Sequence, residues 1–296
     1  MRTIANGVAL KGVTALLFTP FSPDRGVVDR DGMLRQIDAV LEAGVDNLVA
    51  CGKAGEFEGL ALAEIGEVLE IVQERVAGRA PVGMGIISVE AEEAVAAAAV
   101  GVERGIDFAM VKKKSRSEVR DFYLRVAERL PVMIYDQSNE GDLDLDEHLL
   151  PLIEECERIV GVKVSGNVYG FEHLKKTTSL VPFSCGWDTF SLLAYQSGAD
   201  GVVAGSASVM PEREVALHRL ALEGRWDEAG SLFYEQMLPL IAFATPDPYA
   251  FSVCKLVLHW RGVFASPVVR PPYMDAPGWM QSEMRSLAGR LGLLES

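Results

Sequence analysis

Short apolar or β-branched runs alternate with segments of helical period from residue 13 to residue 223, and this alternation predicts eight strands, each followed by a helix. The first pair is a strand over Val13–Phe18, closed by Thr19-Pro20, and a helix over Asp31–Ala43 that stops at Gly44. Further strands are predicted at Asn47–Cys51, Val82–Ile87, Phe108–Val111, Val132–Tyr135, Ile159–Val164, Val181–Cys185 and Gly201–Ala204. The helices between them fall at Ala61–Val76, Val89–Arg104, Ser117–Glu128, Leu145–Cys156 and Tyr169–Lys176. Two more follow, one capped by Asp188 and ending near Gly198, the other over Pro211–Glu223. Eight units of one period are the pattern of an α/β chain closed into a (β/α)8 TIM barrel.

After Gly224 the alternation stops. Arg225–Phe243, Tyr249–Arg261 and Pro277–Leu294 read as helices without strands between them, separated by the proline-containing stretches 245–248 and 266–272. The expected organisation is a barrel over residues 1–224 that carries the chemistry, with a helical extension over 225–296 packed on it.

Composition narrows the partners. A chain of 296 residues with 49% hydrophobic content can bury a large core. Its net charge of −14 argues against nucleic acid and against an anionic membrane surface, since both attract clustered Lys and Arg. Small molecules are the expected ligands. Cys51, Cys156, Cys185 and Cys254 are far apart, with no C-x-x-C pair, so neither a disulfide framework nor a metal site is indicated. No run has the length of a membrane span and no secretory signal opens the chain, so a cytoplasmic location is expected.

In a barrel of this type chemistry sits where strands end. Gly161-Val162-Lys163-Val164 sets a lysine in an apolar strand; if Val162 and Val164 pack outward, Lys163 points inward. An amine reacts with carbonyls only when neutral, and lowering a lysine pKa from about 10.4 to about 7.5 costs the cation roughly 4 kcal/mol, which burial can impose. Such a lysine forms imines. The plainer reading is a strand-end lysine paired with a carboxylate. Tyr135, at the end of the fifth strand, can move protons beside an imine or can simply plug the barrel mouth. Gly52-Lys53-Ala54-Gly55-Glu56 after the second strand reads as a tight turn able to cradle a carboxylate, or as an ordinary βα turn. Lys112-Lys113-Lys114 after the fourth strand reads as a solvated run, with attraction of an anionic substrate as the alternative. The histidines fall in helical segments, and Trp187-Asp188 is placed near the mouth.

Taken together these residues resemble the dihydrodipicolinate synthase and N-acetylneuraminate lyase superfamily of pyruvate-handling class I aldolases. The resemblance spans Gly12-Val13-Thr14-Ala15, Thr19-Pro20-Phe21, Gly52 to Glu56 (where the family has Gly-Thr-Thr-Gly-Glu), Val132 to Tyr135, Gly161-Val162-Lys163, Gly201-Val202-Val203, Ser208 to Pro211, Lys255 to Gly262 and Val269 to Pro272. It implies that Lys163 forms the imine and that Tyr135 transfers protons. It also implies that Lys53, Ala54, Gly55 and Val203 hold the substrate, that no cofactor is needed, and that the protein is a homotetramer. Three departures stand out. Lys53 and Ala54 replace the two threonines, lysines replace an aromatic pair after the fourth strand, and Glu140 stands where the synthase has a carboxylate-binding arginine.

The resulting expectation is a cofactor-independent lyase or aldolase acting on pyruvate or another 2-oxo acid, with an aldehyde as a further substrate, and not the synthase itself. Alternatives are a dehydratase of a 4-deoxy-2-oxo sugar acid using the same imine, and a barrel without catalysis that binds or regulates. A phosphosugar isomerase fits less well, because the eighth strand lacks a plain glycine-rich phosphate loop.

Overall fold

Inward and outward side chains alternate strictly enough along each strand to close one sheet on itself. In the structure, a computed structural model that describes residues 1–115, 117–136, 145–165, 170–245 and 248–294, eight parallel strands form a closed barrel in chain order. They are β1 (Gly12–Leu16), β2 (Asn47–Ala50), β3 (Val82–Ser88), β4 (Phe108–Lys113), β5 (Val132–Asp136), β6 (Ile159–Val164), β7 (Phe183–Cys185) and β8 (Gly201–Ala204), which returns to β1. Every residue of these strands is buried, which is the signature of a sheet covered on both faces.

The helical layer follows: α1 (Arg30–Ala43), α2 (Leu62–Val76), α3 (Ala91–Glu103), α4 (Val119–Ala127), α5 (Leu150–Glu155), α6 (Gly170–Thr177), α7 (Ser191–Gln196), the short α8 (Ser206–Val209) and α9 (Pro211–Leu222). Asp29 caps α1 through its side chain on the Gly32 N–H, and Gly44 ends it in the left-handed conformation (φ 87°). Inside the barrel, small residues make room for large ones. A Cβ on Gly83 would collide with the Phe108 ring, its register partner on β4.

Three expectations are corrected. Strand β4 runs on through Lys113 instead of stopping at Val111; Lys112 and Lys113 are buried, and of the lysine run only Lys114 is exposed, where it pairs with Glu58. Pairing with β3 explains this, because Ile87 and Ser88 continue the ladder opposite Lys112 and Lys113. Asp188 does not cap the following helix; its carboxylate instead accepts the Ser206 N–H at 2.8 Å. The segment predicted as one helix over Arg225–Phe243 is α10 (Trp226–Ser231), a π-helical turn over Leu232–Met237, and α11 (Leu238–Phe243). Pro239 lacks the N–H that a regular helix would use there, and the wider turn absorbs the defect.

α12 (Ala250–Trp260) and α13 (Gly278–Arg290) complete the helices after the barrel. α12 is tied to the turn after β2 by a buried ion pair between Lys255 and Glu56, both wholly inaccessible to solvent. Glu56 sits in the left-handed region (φ 59°) and also accepts the Arg270 N–H at 2.7 Å, while Arg270 pairs with Glu64. Burial pulls the Lys255 ammonium down to about 8 against the attraction of Glu56. Among the described residues no helix is long and apolar enough to cross a membrane.

Candidate active site

The register of the sheet decides which side chains meet. Tyr135 on β5 is opposite Lys163 on β6, and Lys163 is opposite Ser184 on β7. Partners in register point to the same side, so Lys163 faces the barrel axis with Tyr135, as the alternation in β6 predicts. Its ammonium lies 3.8 Å from the centre of the Tyr135 ring, and the residue is only 3% exposed. Gly161, below it, stands opposite Met133, whose Cε would be 3.2 Å from an added Cβ.

Above these residues opens a cavity of about 330 Å³, the size of a small-metabolite site. Tyr135, Lys163 and Ser165 line its floor, and Lys53, Ala54, Gly186, Trp187, Asp188, Gly205 and Ser206 line its polar walls. The opposite wall is apolar and comes from the helices after the barrel, with Leu240, Ile241, Phe251 and Cys254 among its residues. The helical extension is thus part of the cavity as well as packing on the barrel. Its Phe251 is fixed edge-on against Phe18 and Tyr273.

Electrostatics concentrate on Tyr135. Burial alone raises a phenol, but the ammoniums of Lys163, Lys112 and Lys53, in that order, outweigh it, with the nearby Ser165 hydroxyl acting in the same direction. The Tyr135 pKa is lowered from its ordinary value. Lys112, brought inward by the extension of β4, has its ammonium 5.7 Å from the ring centre. Across the cavity the order of effects is reversed: burial raises Asp188 despite the Ser206 N–H and the Lys163 charge. Behind it the fully buried Glu214 accepts a hydrogen bond from the Ser206 hydroxyl, and burial together with the Asp188 carboxylate pushes Glu214 up to about 8.

Two details constrain the lysine further. A Cβ on Gly186 would collide with Lys163 Cε and with Ser165 Oγ, so only glycine leaves the lysine its space. Ser165 Oγ is buried at the cavity floor beside the Tyr135 phenol, a position suited to a polar ligand atom.

Of the residues singled out in the sequence, the structure brings Lys163, Tyr135, Lys53 and Ala54 to one cavity. It does not bring Gly55 or Val203 to its wall. Gly55 is packed under the turn, where its carbonyl accepts the Thr19 hydroxyl at 2.7 Å. Val203 is fully buried opposite Thr14, and the wall from this side comes from Gly205 and Ser206 further along. Lys53 is half-buried on the cavity wall, not swung into solvent. The histidines lie elsewhere: His218 meets Tyr195, and His259 meets the Phe264 carbonyl. Cys51 and Cys185 are buried, and burial holds the Cys185 thiol up at about 12, far from reactive. Gly166, Tyr169 and the acidic segment from Gln137 to Asp142, including Glu140, lie outside the described residues.

Sequence reasoning missed Ser165 and underrated Lys112 and Asp188. Ser165 was accessible from parity, being two residues beyond Lys163 on the same face. Lys112 shares parity with Phe108 and Met110, but alternation cannot say which face is inside.

Comparison with known proteins agrees with the fold. The profile of the dihydrodipicolinate synthetase family matches residues 9–290. A 4-hydroxy-tetrahydrodipicolinate synthase from Methanosphaerula palustris is 29% identical over 271 residues, covering 88% of this chain and 92% of that one. The synthase of the same name from Methanopyrus kandleri is 29% identical over 298 residues, covering 97% and 98%. The crystal structure of dihydrodipicolinate synthase from Aquifex aeolicus superposes with a TM-score of 0.86 at 26% identity, over 97% of this chain and all of that one. With the closed barrel and the strand-end lysine and tyrosine in place, this chain belongs to the dihydrodipicolinate synthetase family, and is an enzyme of the lyase type.

Proposed function

We propose that the cavity binds a 2-oxo acid, pyruvate in the simplest case, as an imine on Lys163. The observation that carries this reading is the pair formed by the buried Lys163 amine and the Tyr135 phenol, 3.8 Å from amine to ring centre on the cavity floor. The free amine adds to the C2 carbonyl, and the resulting carbinolamine takes up a proton from Tyr135 and loses water to give a protonated imine. When the C3–C4 bond of a bound aldol breaks, its electron pair moves into the imine and leaves an enamine, while the C4 hydroxyl gives up its proton and departs as an aldehyde. Protonation at C3 and hydrolysis return the 2-oxo acid and the amine. Tyr135 takes and returns the protons, a role favoured by its lowered pKa. The substrate carboxylate sits against Lys53 and the Lys53–Ala54 peptide.

The polar wall of Ser165, Asp188 and Ser206 suits a hydroxylated partner better than one with a second carboxylate. Each of the three can exchange a hydrogen bond with a hydroxyl, whereas none carries a positive charge to meet a second carboxylate. Together with Glu140 in place of the synthase arginine, and Lys112 in place of an aromatic, this argues against condensation with aspartate semialdehyde. Dehydration of a 4-deoxy-2-oxo sugar acid is the second reading, and Asp188 favours it. A carboxyl with a raised pKa on the cavity wall can protonate a leaving hydroxyl.

The test is reduction with borohydride in the presence of pyruvate and other 2-oxo acids, followed by mass spectrometry of the digested protein. One adduct on Lys163 is expected. An adduct on Lys53, or none with any 2-oxo acid, sinks the proposal; the latter outcome favours a binding or regulatory barrel.

A further inference from the structure

We propose that Lys112 is the positioning residue that keeps Tyr135 competent for proton transfer throughout the reaction, in a site where the other cations are engaged by substrate. Three ammoniums surround the phenol, and the reaction treats them differently. Lys163 is consumed as an imine and returns to the amine on hydrolysis, so its charge changes within each cycle. Lys53 is on the cavity wall, where the substrate carboxylate neutralises it. Lys112 does not line the cavity; it is buried on β4 with its ammonium 5.7 Å from the Tyr135 ring centre. Its charge therefore stays constant while the others vary. This role rests on the imine reading above.

The placement is built in, because Val111 is in register with Ile134, which sets Lys112 beside Tyr135 on the same inner face. The charged and titratable groups that bear on Tyr135 among the described residues are Lys163 from β6, Lys112 from β4 and Lys53 from the turn after β2. The Ser165 hydroxyl adds to them, and Asp188 faces Lys163 from across the cavity. Each of these three ammoniums favours the phenolate.

Ultraviolet titration of tyrosinate tests this directly, with the Tyr135→Phe protein subtracted to isolate the Tyr135 signal. In Lys112→Gln and in Lys112→Met the Tyr135 midpoint should rise by about one pH unit, and Lys112→Arg should restore it. Deuterium exchange into the methyl group of pyruvate, followed by NMR, gives the functional readout. The acid limb of its rate should move upward with the phenol in Lys112→Gln, while the pyruvate concentration for half-maximal rate stays within about twofold, since Lys112 is off the wall. Two neutral replacements guard against one that fails to fold. An unmoved Tyr135 midpoint in both, in a protein that still forms the Lys163 adduct, overturns the role of Lys112. Failure of the unaltered protein to form that adduct overturns the functional reading instead. A raised half-saturation with an unshifted midpoint would make Lys112 a substrate contact and also overturn the proposal.

Discussion

Lys163 and Tyr135 are register partners on adjacent parallel strands, and the lysine ammonium stands 3.8 Å from the centre of the tyrosine ring. That contact places a buried amine and a phenol together on the floor of one cavity. A cation against a π face is itself favourable by roughly 0.5–2 kcal/mol, so the resting site holds the lysine in place before substrate arrives.

Tyr135→Phe keeps the ring and removes the proton. Borohydride trapping of pyruvate on Lys163 should persist, while deuterium exchange into pyruvate slows by about 10²-fold or more, as expected on loss of a positioned acid–base group. Exchange at the unaltered rate would make Tyr135 a packing residue only.

Gly186→Ala should block the lysine without touching a charged group. The added methyl meets Lys163 Cε and Ser165 Oγ, so the amine must leave its position and trapping should slow by about tenfold or more. Unfolding midpoints measured alongside are expected to change far less than the trapping rate.

Lys53→Thr removes the wall cation and leaves a short hydroxyl side chain in its place. Half-saturation for pyruvate should rise by about tenfold, equivalent to about 1.4 kcal/mol of lost binding, with exchange at saturation less affected. No change in either quantity would mean that the carboxylate is held elsewhere.

The Glu56–Lys255 pair joins α12 to the turn that carries Lys53, and both partners are fully buried. Lys255→Met leaves Glu56 without its buried counter-ion and should cost about 3–5 kcal/mol in urea unfolding. Pairing it with Glu56→Met should recover a large part of that loss, and additive losses would show that the two do not interact.

Glu214 gives a pH dependence with a definite sign. Its carboxyl titrates near 8 in the folded protein, against an ordinary value of 4.5, so the folded state holds a proton that the unfolded chain releases. Its contribution to stability is complete below about pH 4.5 and is lost as pH rises toward 8, at about 1.4 kcal/mol per unit. Glu214→Gln imitates the protonated form, so its advantage over the unaltered protein should grow between pH 5 and pH 8. Urea unfolding at the two pH values reads it, and parallel curves would place the Glu214 charge elsewhere.

Strand period, helix stops and the parity of Lys163 are local properties of the chain, and they determined the eightfold barrel, the inward lysine and the tyrosine beside it. Each depends only on neighbours within a few residues, which is why alternation could reveal them. Tertiary structure decided the rest. Where β4 ends depends on whether β3 offers a partner, and pairing with Ile87 and Ser88 turned a lysine run into a buried strand end with Lys112 beside Tyr135. Asp188 was legible as a helix cap, yet an amide 18 residues away claimed its carboxylate. The apolar wall from Leu240, Ile241 and Phe251 has no signature in the barrel sequence, because those residues become neighbours of Lys163 only when the helices fold back over the barrel mouth. The resulting site is set by register and long-range packing, and neither is encoded at the period of a single strand or helix.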